Sequence, residues 1–101
     1  MKIKVYIAGK VSGEPLEECR RKFARAQNVL LAKGYEVVNP MNVVRDPTVS
    51  WQEAMDLCIP ELSKCNAILM LPCSKYSKGA HIELEHAMNL GLDLYGEIKE
   101  L

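Results

Sequence analysis

The chain has 101 residues, and its 13 Lys and Arg balance 13 Asp and Glu, so its formal charge is zero. That length makes one domain over residues 1–101 with a single core. The neutral balance argues against binding to a nucleic-acid polymer or an anionic membrane, both of which draw on excess Lys and Arg. It also weakens the repulsion that keeps proteins monomeric, so a homodimer or larger homo-oligomer is expected. At 49% hydrophobic and 26% charged residues the composition is globular, not disordered. No apolar run reaches the roughly 18 residues of a membrane span. The chain opens on Lys2-Ile3-Lys4-Val5-Tyr6, with no signal-peptide pattern. Cys19, Cys58, Cys65 and Cys73 contain no C-x-x-C spacing, which points to reduced thiols, a cytoplasmic setting and no metal site. No cofactor is expected.

Short apolar runs alternate with helical patterns. Residues 3–8 are rich in β-branched side chains and stop at Gly9, as a buried strand does. Pro15 suits a first helical turn, and Leu16, Cys19, Phe23, Ala26 and Leu30 recur at steps of three and four. Gly34 is placed to end that helix. Residues 35–39 make the second strand, stopped by Pro40, and residues 40–49 read as a polar loop. Ser50-Trp51-Gln52-Glu53 has the form of a capping box and opens a second helix with Trp51, Ala54, Met55, Cys58, Ile59 and Leu62 on one stripe. Pro60 predicts a kink or break there. Residues 67–71 form the third strand. Residues 79–90 form the third helix, with Ala80, Leu84, Ala87 and Met88 on one face and Gly91 as its stop. Residues 92–95 form a short last strand, and the final six residues read as a frayed tail.

This β-α-β-α-β-α-β order, with strands apolar throughout, predicts an α/β three-layer sandwich around a four-stranded parallel sheet, order 2-1-3-4. In such sheets ligands bind beyond the carboxyl ends of the strands, at the switch point between strands 1 and 3. Two loops meet there. The first, Gly9-Lys10-Val11-Ser12-Gly13, offers glycines that let backbone N–H groups approach an anion, although two turn glycines beside a solvated Lys10 give the same string. It is neither a P-loop nor a G-x-G-x-x-G motif. The second, Ser77-Lys78-Gly79-Ala80, opens a helix whose free N–H groups favour a phosphate or carboxylate. Glu83 follows one turn later, placed to act as nucleophile or general base, or simply as an acidic residue in an early turn like Glu85. Tyr6, near the end of strand 1, fits the core. Trp51 fits either a base-stacking role or a hydrophobic anchor. His81 and His86 are spaced poorly for a shared metal, and nothing marks Cys73 as activated.

The strings Val5-Tyr6-Ile7-Ala8-Gly9, Gly34-Tyr35-Glu36-Val37-Val38-Asn39-Pro40, Ser50-Trp51-Gln52-Glu53, Cys65-Asn66-Ala67-Ile68 and Ser77-Lys78-Gly79-Ala80-x-x-Glu83-x-x-x-Ala87 resemble the nucleoside 2-deoxyribosyltransferase-like family, in its small bacterial and phage branch. The resemblance implies a flavodoxin-like (Rossmann-like) fold. It further implies cleavage of the base–deoxyribose bond of a deoxynucleoside or deoxynucleoside 5′-monophosphate, by an N-glycosidase or a deoxyribosyltransferase. Glu83 would be the nucleophile and Tyr6 would hold its carboxylate. Ser77 and Gly79, with Ala80 behind them, would hold the sugar 5′ end or its phosphate. Gly9 would let substrate approach strand 1, beside Lys10, Ser12 and Gly13. The chain departs from the family in two residues. Cys58 stands where relatives carry an aspartate, with Asp56 about 160° away on a regular helix. Asn66 also stands in place of an aspartate. A non-catalytic nucleotide-binding module is the alternative. A receiver domain would need acidic residues where Gly9-Lys10 stand, and a flavodoxin would need more hydroxyls than Ser12 in that loop.

Overall fold

The computed structural model describes residues 2–101. The elements run β1 (Lys4–Ala8), α1 (Leu16–Ala32), β2 (Glu36–Val38), α2 (Pro40–Val43), α3 (Trp51–Leu62), β3 (Ala67–Met70), a 3-10 turn (Pro72–Tyr76), α4 (Lys78–Leu90), β4 (Asp93–Tyr95) and a second 3-10 turn (Ile98–Glu100). All strand pairs are parallel, and the sheet order is β2-β1-β3-β4, as the element order predicts.

Strand β1 lies inside the sheet, with Tyr6 opposite Val38 on one side and Ile68 on the other. Because successive side chains point to opposite faces, both faces of β1 must be apolar. Val5 and Ile7 pack with Phe23, Ala26 and Leu30 of α1. Tyr6 and Ala8 pack with Cys58 and Leu62 of α3 and with Ala80 and Ala87 of α4. One long helix therefore covers one face, and two shorter helices cover the other. Both α1 and α4 stop through a glycine in the left-handed region, Gly34 (φ 92°) and Gly91 (φ 75°). The next residue then donates back, Tyr35 N–H to the Leu30 carbonyl and Leu92 N–H to the Ala87 carbonyl. These reversals turn the chain straight into β2 and β4.

Four local features differ from the sequence reading. Helix α3 runs through Pro60 without a break, since the proline lies in the last turn on an exposed face and removes only one bond. The stretch 40–49 begins with one helical turn, α2, whose Asn39 side chain accepts from the Met41 N–H at 2.9 Å. Met88 is 59% exposed, so the buried face of α4 is Gly79, Ala80, Glu83 and Ala87. The tail docks and does not fray: Ile98 and Leu101 pack against the α1-side core, and the Tyr35 hydroxyl donates to the Leu101 carbonyl at 2.7 Å. Deleting residues 97–101 is expected to cost about 1–2 kcal/mol from the lost apolar burial, read as a lower urea midpoint. An unchanged midpoint would show that the docking contributes nothing.

Asn66 has a structural task. Its side-chain oxygen accepts the Lys4 N–H at 2.9 Å, and its backbone bonds Lys4 and Asp93. It ties together the N-terminal ends of β1, β3 and β4, the end of the sheet away from the switch-point loops. An amide oxygen accepts that bond as a carboxylate does. All four cysteines are free thiols. Among the described residues, no helix is long and apolar enough to cross a membrane.

Candidate active site

With every strand parallel, the segments after β1, β2 and β3 leave the sheet on one side and ring a single pocket of about 380 Å³. That volume lies at the small end of the roughly 300–1,000 Å³ typical of small-molecule sites. Gly9, Ser12 and Gly13 line it from the β1–α1 loop, and Ser77, Gly79 and Ala80 from the start of α4. Ser77 caps α4, its Oγ accepting the Ala80 N–H at 3.1 Å. The first turn of α4 thus presents its remaining N–H groups and the positive end of the helix dipole to the cavity.

Glu83 lines the same pocket one turn further along α4. It is 6% exposed, and the Tyr6 hydroxyl donates a hydrogen bond to its Oε2. Tyr6 itself is fully buried, and its alternation in β1 aims it at the α3–α4 side. Burial raises the Glu83 carboxyl to about 7, with the Tyr6 hydrogen bond opposing the rise. Burial and the adjacent Glu83 push Tyr6 well above the usual phenol range, so it stays protonated and serves as a donor. Cys58 of α3 also lines the pocket, 5% exposed, and packs in one cluster with Tyr6. The pocket lining thus includes Glu83 of α4 and Cys58 of α3, with Tyr6 of β1 fully buried behind them.

Some candidates from the sequence take other places. Lys10 lies outside the pocket wall. Its ammonium sits 4.0 Å from Glu14, and its backbone is held by the Cys73 sulfur at 3.3 Å and the Lys22 ammonium at 2.9 Å. Lys78 lies over the Trp51 ring at 4.9 Å, and Lys75 over Tyr76 at 5.1 Å. The cations that line the pocket are Arg20 and Arg45. Gly9 lines the cavity with its backbone, but a Cβ there would meet Leu71 Cδ1 and Phe23 Cζ at 3.1 Å. Its lack of a side chain serves the packing of β1 on α1. His81 and His86 are exposed on α4.

One wall is apolar and comes from the stretch between β2 and α3. Met41, Val44 and Val49 close the pocket from α2 and the loop after it, and Trp51 and Met55 continue it along α3. Its signal in the sequence is faint: Met41, Val43, Val44 and Val49 scattered without period through residues 40–49, and a methionine one turn beyond Trp51. A Cβ at Gly79 would sit 3.3 Å from both Trp51 Nε1 and Met55 Sδ, so the bare backbone at Gly79 lets α4 close against this wall.

Residues 3–95 match the profile of a family described as a domain of unknown function, DUF4406. The chain belongs to that family. No curated protein matches it. Among solved structures it is similar to the CMP N-glycosidase BcmB of Clostridium botulinum, with a TM-score of 0.61 and 23% identity. The match covers 90% of this chain and 65% of that one, so the chain spans just under two thirds of BcmB. At that identity the likeness establishes a common fold.

Proposed function

We propose that the protein cleaves the N-glycosidic bond of a nucleoside 5′-monophosphate or nucleoside, with Glu83 as the nucleophile and Tyr6 as the residue that orients it. The observation that carries this reading is the buried Tyr6–Glu83 hydrogen bond at the floor of a pocket, one turn from the N-terminus of α4. A glycosidic carbon passes through an oxocarbenium-like state, which a close carboxylate stabilises and then captures. The Glu83 oxygen bonds to the anomeric carbon as the carbon–nitrogen bond breaks, and the electron pair leaves with the base. Water or a second base then displaces Glu83. A phosphate or 5′ oxygen would rest on the α4 N-terminus beside Ser77 and Gly79. The common fold with a CMP N-glycosidase supports a nucleotide substrate.

The protonated form of Glu83 below pH 7 favours a second reading, a module that binds nucleotide without cleaving it. One experiment separates the two. The protein is incubated with ribo- and deoxynucleosides and their 5′-monophosphates, with and without a free acceptor base, and the products are resolved by chromatography. Release of base from at least one substrate is expected, and exchange with the acceptor would mark a transferase. Calorimetric binding with no base released from any substrate would establish the module instead.

The ionised Glu83 is the attacking form. The rate kcat/KM is therefore expected to rise with pH through about 7, the value at which burial holds this carboxyl. Removing the Tyr6 hydrogen bond removes the contact that favours the carboxylate. In Tyr6→Phe the midpoint of that limb should move upward. A midpoint that stays put or falls would exclude Tyr6 as the orienting donor.

A further inference from the structure

A nucleophile alone does not complete the cleavage. The departing base carries the electron pair of the broken bond on a ring nitrogen, and it leaves far more easily when that nitrogen receives a proton. The pocket's other two carboxylic acids belong to its rim. Glu14 is exposed, 4.0 Å from Lys10, and Asp46 is exposed, with Thr48 holding its carboxyl below the usual range and hence ionised. The Tyr6 proton is already given to Glu83. Ser50 and Ser77 cap α3 and α4, Ser12 is exposed in the loop, and a serine hydroxyl is too weak an acid to matter.

Cys58 remains. It lies on the pocket-facing stripe of α3, one turn beyond Met55, and is 5% exposed. It shares a packed cluster with Tyr6 and Ala80, so it stands over the first turns of α4 on the same floor as Glu83. We propose that Cys58 is the proton donor to the departing base, the partner of Glu83 in the cleavage proposed above. The thiol S–H bond breaks as the base nitrogen takes the proton, and the resulting thiolate is reprotonated from water after the base has left. No oxidant or metal enters the step. Burial pushes the thiol up to about 11, so it holds its proton throughout the neutral range. Such a weak acid assists most where the leaving nitrogen is itself strongly basic.

That dependence supplies the test, which rests on the N-glycosidase reading. The cleaved nucleotide is compared with an isostere whose base is more acidic: the 5-fluoro analogue for a pyrimidine, or the 2-fluoro analogue for a purine. For the natural base, Cys58→Ala and Cys58→Ser are expected to lower kcat by about 10- to 100-fold, the lower part of the usual range for general acid catalysis. For the fluorinated base the loss should shrink at least threefold further toward wild type, because its nitrogen needs less help (about 0.6 kcal/mol at RT ln 3). An equal loss on both substrates would make Cys58 a residue that merely positions Tyr6 and Glu83, and would overturn the proposal. So would wild-type rates in both variants. If wild-type protein releases no base at all, the N-glycosidase reading itself fails. If release is abolished by Glu83→Gln yet indifferent to Cys58, only the proton donor is wrong.

Discussion

Replacing Glu83 by Gln is expected to lower base release by at least about 1,000-fold, because an amide neither attacks the anomeric carbon nor balances its positive charge. The substitution keeps the shape of the side chain and keeps an oxygen able to accept from Tyr6. Loss of activity with an unchanged circular dichroism spectrum and retained nucleotide binding would place the defect in the chemical step. A rate within tenfold of wild type would remove Glu83 as the nucleophile. The amide is a sharper probe than alanine, which would also open a cavity beside Tyr6 in a tightly packed layer.

The same substitution should make the protein more stable in alkaline solution. In the unfolded chain Glu83 titrates near 4.5, and in the folded chain near 7. The folded state therefore holds the proton more tightly. Stability from this group is fully present below pH 4.5 and is lost as pH rises through 7. At about 1.36 kcal/mol per unit, the span amounts to about 3 kcal/mol. The amide in the variant does not titrate. Urea midpoints of wild type and Glu83→Gln should stand a fixed distance apart at pH 4 and diverge in favour of the variant up to pH 8. Parallel curves across that window would mean that the carboxyl is ionised without penalty, contrary to its burial. A gain in stability on loss of a side chain's charge is what a group retained for chemistry produces.

Much of the fold was legible because β1 and α1 carry unambiguous periods. Val5 through Ala8 are buried on both faces, as a covered parallel sheet requires, and Cys19, Phe23, Ala26 and Leu30 trace one buried stripe, the last three of which pack together against β1. The tail was not legible, since Ile98 and Leu101 are isolated apolar residues with no period; only the completed α1 face gives them a surface. Glu83 and the Ser77 cap stood out by position relative to a helix start. For Lys10 the loop sequence leaves a ligand contact and a solvated side chain equally open, and the structure sets its ammonium 4.0 Å from Glu14, outside the residues that line the pocket. The wall from α2 was hidden for a different reason: its residues contact the cavity individually, from a turn and a loop, and no spacing rule links them.

That wall has a practical consequence. One side of the pocket comes almost wholly from a continuous stretch, residues 40–55, whereas Glu83 lies on α4 and Tyr6 behind it on β1; only Cys58 shares its helix, α3, with the end of that stretch. In the proposed reaction the ligand's outline would thus be met by one stretch of the chain, and Glu83 and Tyr6 would be supplied by others. Chimaeras that trade only residues 40–49, ahead of α3, between members of the family are expected to change which ligand is admitted while leaving Tyr6, Cys58 and Glu83 on their own elements.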